Sequence, residues 1–287
     1  MDYQNTLKYL YESAPMFQQI GSKAYKPGLE TTHKLDEHFG HPHQQFKTIH
    51  IAGTNGKGST LAYVSTVLKE AGYRVGRYIS PTIFSYRERI QVNETYISRE
   101  GLVRLTEQIQ KAGEQMLAAG DGHPTMFEAE TALAFLWFVE QKCDIVVLEV
   151  GMGGLTDATN VIKNTLVAAL TPVSMDHIGV LGNTLGEIAA QKAGIIKKGC
   201  KVVSAAQKPE SRIVIEQKAK ECGCLMSFVD TTQIRDRNRG LMKQSFSYKE
   251  RTQVEISLAG EYQFENAALA LDVLDELNKM GYVISEE

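Results

Sequence analysis

One lysine sits among glycines and hydroxyl side chains in Ile49-His50-Ile51-Ala52-Gly53-Thr54-Asn55-Gly56-Lys57-Gly58-Ser59-Thr60, a composition suited to holding a polyphosphate. Glycines let the backbone curl so that successive N–H groups point at one anion, and a helix starting there adds its positive end. On this reading Gly53, Thr54, Asn55, Gly56 and Gly58 line the phosphates. Lys57 reaches the outer phosphates, and the Ser59 hydroxyl helps to hold Mg²⁺. The strict pattern G-x-x-x-x-G-K-[ST] is not met, because Ile51 stands at its first glycine and Gly58 follows the lysine. The plain alternative is a glycine turn without a ligand.

A second group of residues follows the apolar run Asp144-Ile145-Val146-Val147-Leu148-Glu149. A carboxylate at the C-terminal edge of a buried parallel strand lies where open α/β sheets bind their ligands, so Glu149 is placed to take Mg²⁺. Otherwise it is a strand-end carboxylate facing solvent. Gly151-Met152-Gly153-Gly154 resembles a dinucleotide fingerprint but has Thr156 at the last glycine position, and is set aside. Asp176-His177 and Gln191-Lys192 form a third set, each with an ordinary reading as a loop histidine or a solvated helix end. His38, His41 and His43 have poor metal-ligand spacing and read as a polar loop.

These residues need a scaffold, and the pattern around them supplies one. Strands are expected at Lys47–Ala52, Arg74–Ile79, Asp144–Val150, Leu166–Leu170, Lys201–Ser204 and Leu225–Val229. Between them helices are expected at Ser59–Ala71, Arg99–Leu117, Glu128–Gln141, Leu185–Ile195 and Ser211–Cys222. Alternation of this kind gives an α/β fold, a mostly parallel sheet flanked by helices. Thr125-x-x-Glu128 and Thr184-x-x-Glu187 read as capping boxes at two helix starts. After a polar break at Arg235–Gly240, Ser245–Tyr248 and Gln253–Leu258 read as a small β-hairpin or edge sheet, followed by a helix over Glu265–Lys279. No linker is evident, so one domain spanning 1–287 is the simplest count.

Composition narrows the partners. Thirty-one Lys and Arg against 34 Asp and Glu leave a net charge of −3, without the basic footprint of a nucleic-acid binder. The apolar runs are too short to span a bilayer, and the first residues lack a secretory signal. Cys143, Cys200, Cys222 and Cys224 form no Cys-x-x-Cys pair and read as reduced thiols in a cytoplasmic protein.

Taken in order, the motifs resemble the folylpolyglutamate and dihydrofolate synthases, relatives of the Mur ligases. They are Gly28-Leu29-Glu30, Gly53–Ser59, Ser80-Pro81 with Glu88-Arg89-Ile90, Thr125-Met126-Phe127-Glu128 and Glu149–Gly154. Asp157-Ala158-Thr159-Asn160, Asp176-His177, Leu181–Thr184, Lys192-Ala193-Gly194 and Gln263-x-x-Asn266 complete the set. The resemblance implies a P-loop NTPase-like fold and an ATP-dependent ligase that joins L-glutamate to folate or dihydropteroate through an acyl phosphate. It implies Lys57, Glu149, His177 and Lys192 as catalytic residues and Asn266 as a nucleotide contact. Ser59, Ser80 and Glu149 would ligate one Mg²⁺ and His177 a second, with Lys192 carbamylated beside them. Leu29, Thr125, Phe127, Glu128, Thr156, Asp157 and Ala158 would meet the pterin acid, although Thr125 and Glu128 are also explained by their capping box.

Departures are Thr82 and Tyr262, where histidine is usual, and Gln191, where glutamate is common. The resemblance further implies a C-terminal domain, absent from this chain, that packs on the ATP face, so weak Mg-ATP binding and little turnover are expected of these residues alone. The competing readings are a Mur-type cell-wall peptide ligase and a nonenzymatic P-loop nucleotide-binding protein.

Overall fold

A computed structural model describes residues 1–12, 28–240 and 242–285. Eight strands form one sheet in the order β4-β3-β2-β5-β1-β6-β7-β8. β1 (Lys47–Ala52), β2 (Val75–Tyr78), β5 (Ile145–Glu149), β6 (Thr165–Leu170), β7 (Lys201–Ser204) and β8 (Met226–Phe228) run parallel. β3 (Ile90–Val92) and β4 (Thr95–Tyr96) extend the β2 edge antiparallel.

β1 and β5 occupy the middle of the sheet, so every residue of the two strands except Lys47 is buried, and β5 reads as a nearly continuous apolar run. Their register sets the site: Ile51 pairs with Glu149, so Glu149 ends its strand beside the residues that lead into Gly53.

Helices cover both faces. α1 (Tyr3–Glu12), α2 (Glu30–His38), α4 (Arg99–Ala119) and α5 (Met126–Glu140) pack around a core that contains Tyr78, Phe135, Phe138 and Leu148. α3 (Lys57–Glu70) and α8 (Tyr262–Lys279) enclose a second core against Ile49, Ile51 and Val147. α6 (Leu185–Ala193) and α7 (Pro209–Glu221) close a third against Leu170 and Val202. The capping boxes at Thr125/Glu128 and Thr184/Glu187 form as expected.

Three differences from the sequence reading have physical causes. The polar break at Arg235–Gly240 is largely β9 (Ile234–Asn238), which joins β10 (Gln244–Tyr248) and β11 (Arg251–Ile256) in a three-stranded antiparallel sheet. β9 is an outer strand whose residues after Ile234 are exposed, so no apolar alternation marks it. β3 and β4 are only three and two residues long, too short for a periodic signal. The helix after the glycine loop begins at Lys57 rather than Ser59, with Gly56 as its N-cap. Among the described residues no helix is long and apolar enough to cross a membrane.

Candidate functional site

The loop from β1 into α3 is shaped by two positions that tolerate only glycine. Gly53 has φ 148°, and a methyl group there would meet Thr171 Oγ1 at 1.8 Å. Gly56 has φ 91°, and a methyl group there would lie 2.3 Å from Asn266 Oδ1. Thr54 ties the loop to the segment after β6: its N–H donates to Pro172 O at 2.9 Å and its hydroxyl to Ser174 O at 3.2 Å. Asn55 and Gly58 stay exposed on the outer side. The result is a rigid curl opening α3, as phosphate binding requires.

Lys57 folds over this loop and donates from Nζ to Thr54 O at 3.0 Å and Gly53 O at 3.2 Å. Lys192, only 2% exposed, donates to the same Gly53 oxygen at 2.9 Å and lies 3.6 Å from Asp176 Oδ2. Burial, then the neighbouring Lys57 charge, pulls the Lys192 ammonium down to about 8, against a smaller opposing effect of Asp176. His177, in a left-handed turn with φ 45°, places Nε2 3.5 Å from Asp176 Oδ1.

Glu149 faces this group. A methyl group on Gly58 would stand 3.7 Å from Glu149 Oε2, so the first turn of α3 and the carboxylate border one space. Glu149 is 6% exposed, and Ser80 N–H donates to its Oε2 at 3.2 Å. Burial pushes its carboxyl up to about 7, although Lys57 and the Ser80 N–H both favour the charged form. Ser80 is held by a loop that Glu88 staples, its carboxylate accepting from the N–H groups of Ile83, Phe84 and Ser85.

Among the described residues no three His, Cys, Asp or Glu side chains are grouped to hold a metal. The buried Glu149 carboxylate, bordering the first turn of α3 and taking the Ser80 N–H, suits Mg²⁺. That ion accepts one or two protein oxygens and completes its shell with phosphate and water. The observation behind this fit is a carboxylate only 6% exposed whose Oε2 accepts the Ser80 N–H.

The reading of the sequence passed over Gln263. Its Nε2 donates to Ser59 Oγ at 3.1 Å, while its Oε1 accepts from Asn266 Nδ2 at 3.1 Å. Helix α8 thereby orients both the Ser59 hydroxyl and Asn266 behind the loop. Gln263 belongs to the Gln263-x-x-Asn266 motif, so the signal was present without an assigned role.

The residues expected to meet a pterin divide into two groups. Phe127 leans over the edge of β5: its ring tip would lie 2.5 Å from a methyl group on Gly151, and its ring centroid is 6.0 Å from that of Tyr78. Thr125 N–H donates to Glu128 Oε2 at 2.7 Å and Thr32 Oγ1 donates to Glu128 Oε1 at 2.8 Å, so both Glu128 oxygens have structural partners. Leu29, half-buried, precedes α2, the helix that Thr32 joins to Glu128. Asp157 is buried and accepts at Oδ2 from Met152 N–H at 2.9 Å and at Oδ1 from Thr159 N–H at 3.0 Å. Ala158 is buried behind it, and Thr156 is half-buried on the loop.

Two of the histidines before β1, His41 and His43, meet on one carboxylate. Asp36 lies 2.6 Å from His41 Nδ1 and 2.7 Å from buried His43 Nδ1, and His38 stacks edge-on with Phe39. Cys143, Cys200, Cys222 and Cys224 are free thiols, with the Cys200 and Cys224 sulfurs 3.8 Å apart.

A family model for the Mur ligase middle domain matches residues 51–274. The chain is 40% identical over 269 residues to dihydrofolate synthase/folylpolyglutamate synthase of Bacillus subtilis (strain 168), covering 91% of this chain and 62% of that protein. Among solved structures, folylpolyglutamate synthase of Thermotoga maritima is similar with a TM-score of 0.86 and 36% identity, over 99% of this chain and 63% of that one. A folylpolyglutamate synthase complex with AMPPCP and folate gives a TM-score of 0.87 and 33% identity, over 99% of this chain and 69% of that one. The chain thus spans less than two thirds of the length of the first two relatives.

Proposed function

The chain belongs to the Mur ligase family, in its folylpolyglutamate and dihydrofolate synthase branch, and from that premise we propose that it binds ATP with Mg²⁺ and activates the carboxylate of a pterin-bearing acid for amide formation with L-glutamate. The single observation that carries this reading is the Gly53–Ser59 curl, with Lys57, opening onto Glu149 from the neighbouring strand.

A carboxylate is a poor electrophile at neutral pH. In the proposed reaction one of its oxygens attacks the γ-phosphorus of ATP, the bond to the β,γ-bridging oxygen breaks, and ADP leaves. The glutamate amine then attacks the acyl carbon, the C–O bond to phosphate breaks, and the amine releases its proton. Phosphoryl transfer of this kind depends mainly on positioning and charge. The loop N–H groups and Lys57 hold the phosphates, and Gln263 and Asn266 fix the loop from behind. Bound Mg²⁺, held by Ser59, Ser80 and Glu149, would neutralise charge developing on the phosphate oxygens. His177 is proposed as a ligand of a second ion.

Lys192 is proposed as a carbamate site. Its neutral amine, favoured by burial, would attack CO₂ to form an N–C bond and release a proton, replacing a cation by an anion near Lys57. Phe127 offers a ring face to the pterin, and the loop carrying Thr156, Asp157 and Ala158 offers backbone groups. Glutamate recognition is assigned to the share of the relatives' length outside the match, as is the domain that packs on the ATP face. The free thiols suit a reducing cytoplasm.

The test is a phosphate-release assay with ATP, L-glutamate and dihydropteroate or folate, with hydroxylamine added to trap acyl phosphate as a hydroxamate. A hydroxamate formed with either pterin acid supports the reading. Trapping only with a nucleotide-linked cell-wall peptide would move the chain to the Mur-type reaction.

A further inference from the structure

β1 sends Ile49 and Ile51 into the core beneath α3 and α8, so the residue between them, His50, points to the opposite face of the sheet. A histidine there is completely buried, an unusual burden for a strand that leads directly into a phosphate loop. Its Nε2 lies 2.8 Å from Thr159 Oγ1, and Thr159 Oγ1 lies 2.5 Å from Asp157 Oδ1. Thr159 is itself fully buried.

The direction of these bonds follows from counting protons. Asp157 takes N–H groups from Met152 and Thr159, which favour its charged form against the burial that raises its carboxyl, and the Thr159 hydroxyl donates to its Oδ1. A hydroxyl has one proton, so its oxygen accepts from His50, which must carry its proton on Nε2. His50 Nδ1 has no hydrogen-bond partner, as expected of a ring whose one N–H is engaged on the other side. Burial, with the nearby Lys197 charge, pushes the imidazole down to about 3 and keeps it neutral.

We infer that His50 is a positioning residue: through Thr159 it orients the Asp157 carboxylate, and so holds the 151–158 loop in the shape that receives the pterin acid. The relay joins the strand that carries the nucleotide loop to the loop that follows Glu149. Asp157 shapes the loop by its grip on backbone N–H groups and reaches substrate only through the loop it organises. The inference rests on the pterin-acid reading above.

Two readouts on the full chain keep the inference and that reading separable. The first is amide hydrogen exchange at Met152 and Thr159, which needs no substrate. His50→Leu and Thr159→Val should each speed exchange roughly tenfold, the effect of losing one buried hydrogen bond. His50→Gln, whose Nε2 amide lies as many bonds from Cα as the histidine Nε2, should restore protection. His50→Asn, with its amide at the Nδ1 position, should not.

The second readout is calorimetric affinity for folate and for AMPPCP. Folate binding should weaken roughly tenfold in His50→Leu and in Thr159→Val, and no further in the double variant, while AMPPCP binding stays within about twofold. Unchanged exchange in His50→Leu, equal failure of the Gln and Leu variants, additive penalties, or equal loss of AMPPCP binding would each overturn the inference. If the unsubstituted chain bound no folate, the pterin-acid reading would fall and the inference about substrate with it, while exchange would still decide whether the relay exists.

Discussion

Lys57 and Lys192 donate to one acceptor, the carbonyl oxygen of Gly53, at 3.2 and 2.9 Å. Burial, and after it repulsion from the Lys57 ammonium on the same oxygen, pulls Lys192 from 10.5 to about 8. Between those values the unfolded chain still holds a proton that the folded chain has lost, so this group adds stability as pH rises from about 8 to 10.5. Lys57→Met should therefore raise the Lys192 titration, read by lysine side-chain NMR. Failure of the titration to move would mean that burial alone sets it.

Glu149 works in the opposite sense. Its carboxyl, pushed from 4.5 to about 7 by burial, keeps a proton in the folded chain that the unfolded chain has released. Stability contributed by this group is present below about pH 4.5 and is lost as pH rises towards 7. Thermal melting followed across that window should fall with pH for the natural chain and be flatter for Glu149→Gln. Mg²⁺-dependent nucleotide binding should strengthen over the same range, since only the carboxylate ligates; a binding curve indifferent to pH would contradict this.

The glycines of the loop should not respond alike. Gly56→Ala forces a positive φ onto a side chain and drives it into Asn266, so a loss above about 1 kcal/mol in denaturant unfolding is expected. Gly58→Ala meets only an ordinary contact with Glu149 and should change stability by less than about 0.5 kcal/mol. Gly58→Val should leave melting nearly unchanged while filling the space that Mg²⁺-nucleotide needs. Equal destabilisation by the two alanines would refute this account of the loop.

Much of this arrangement was legible in the residues. The β1 and β5 runs, the glycine curl and the position of Glu149 all follow local rules of burial and turn chemistry, and the parallel register of Ile51 with Glu149 joins them. What stayed hidden depends on contacts distant in sequence. Gly151 reads as a turn residue until Phe127, 24 positions earlier, is seen leaning over it. His50 reads as one more residue of an apolar strand until Thr159 arrives from another loop. The polar β9 carries no strand pattern, because pairing with β10 rather than burial defines it.

Glu128 illustrates two roles competing for one side chain. Both its oxygens are engaged, one by Thr125 N–H in capping α5 and the other by Thr32 Oγ1 in joining α5 to α2. Glu128→Ala should lower stability by about 1 to 2 kcal/mol, the effect of a lost cap with a stranded buried hydroxyl. Folate affinity measured well below the melting temperature should change little. A large loss of affinity without loss of stability would assign the carboxylate to the substrate instead.

The cradle between Lys57 and Glu149 is tested most directly by electron paramagnetic resonance of Mn²⁺ with AMPPCP, Mn²⁺ standing in for Mg²⁺. Added to the natural chain, the pair should give the spectrum of protein-bound metal, and Lys57→Ala and Glu149→Ala should each weaken that binding by roughly tenfold or more. A bound spectrum unaffected by either substitution would place nucleotide and metal elsewhere and contradict the account.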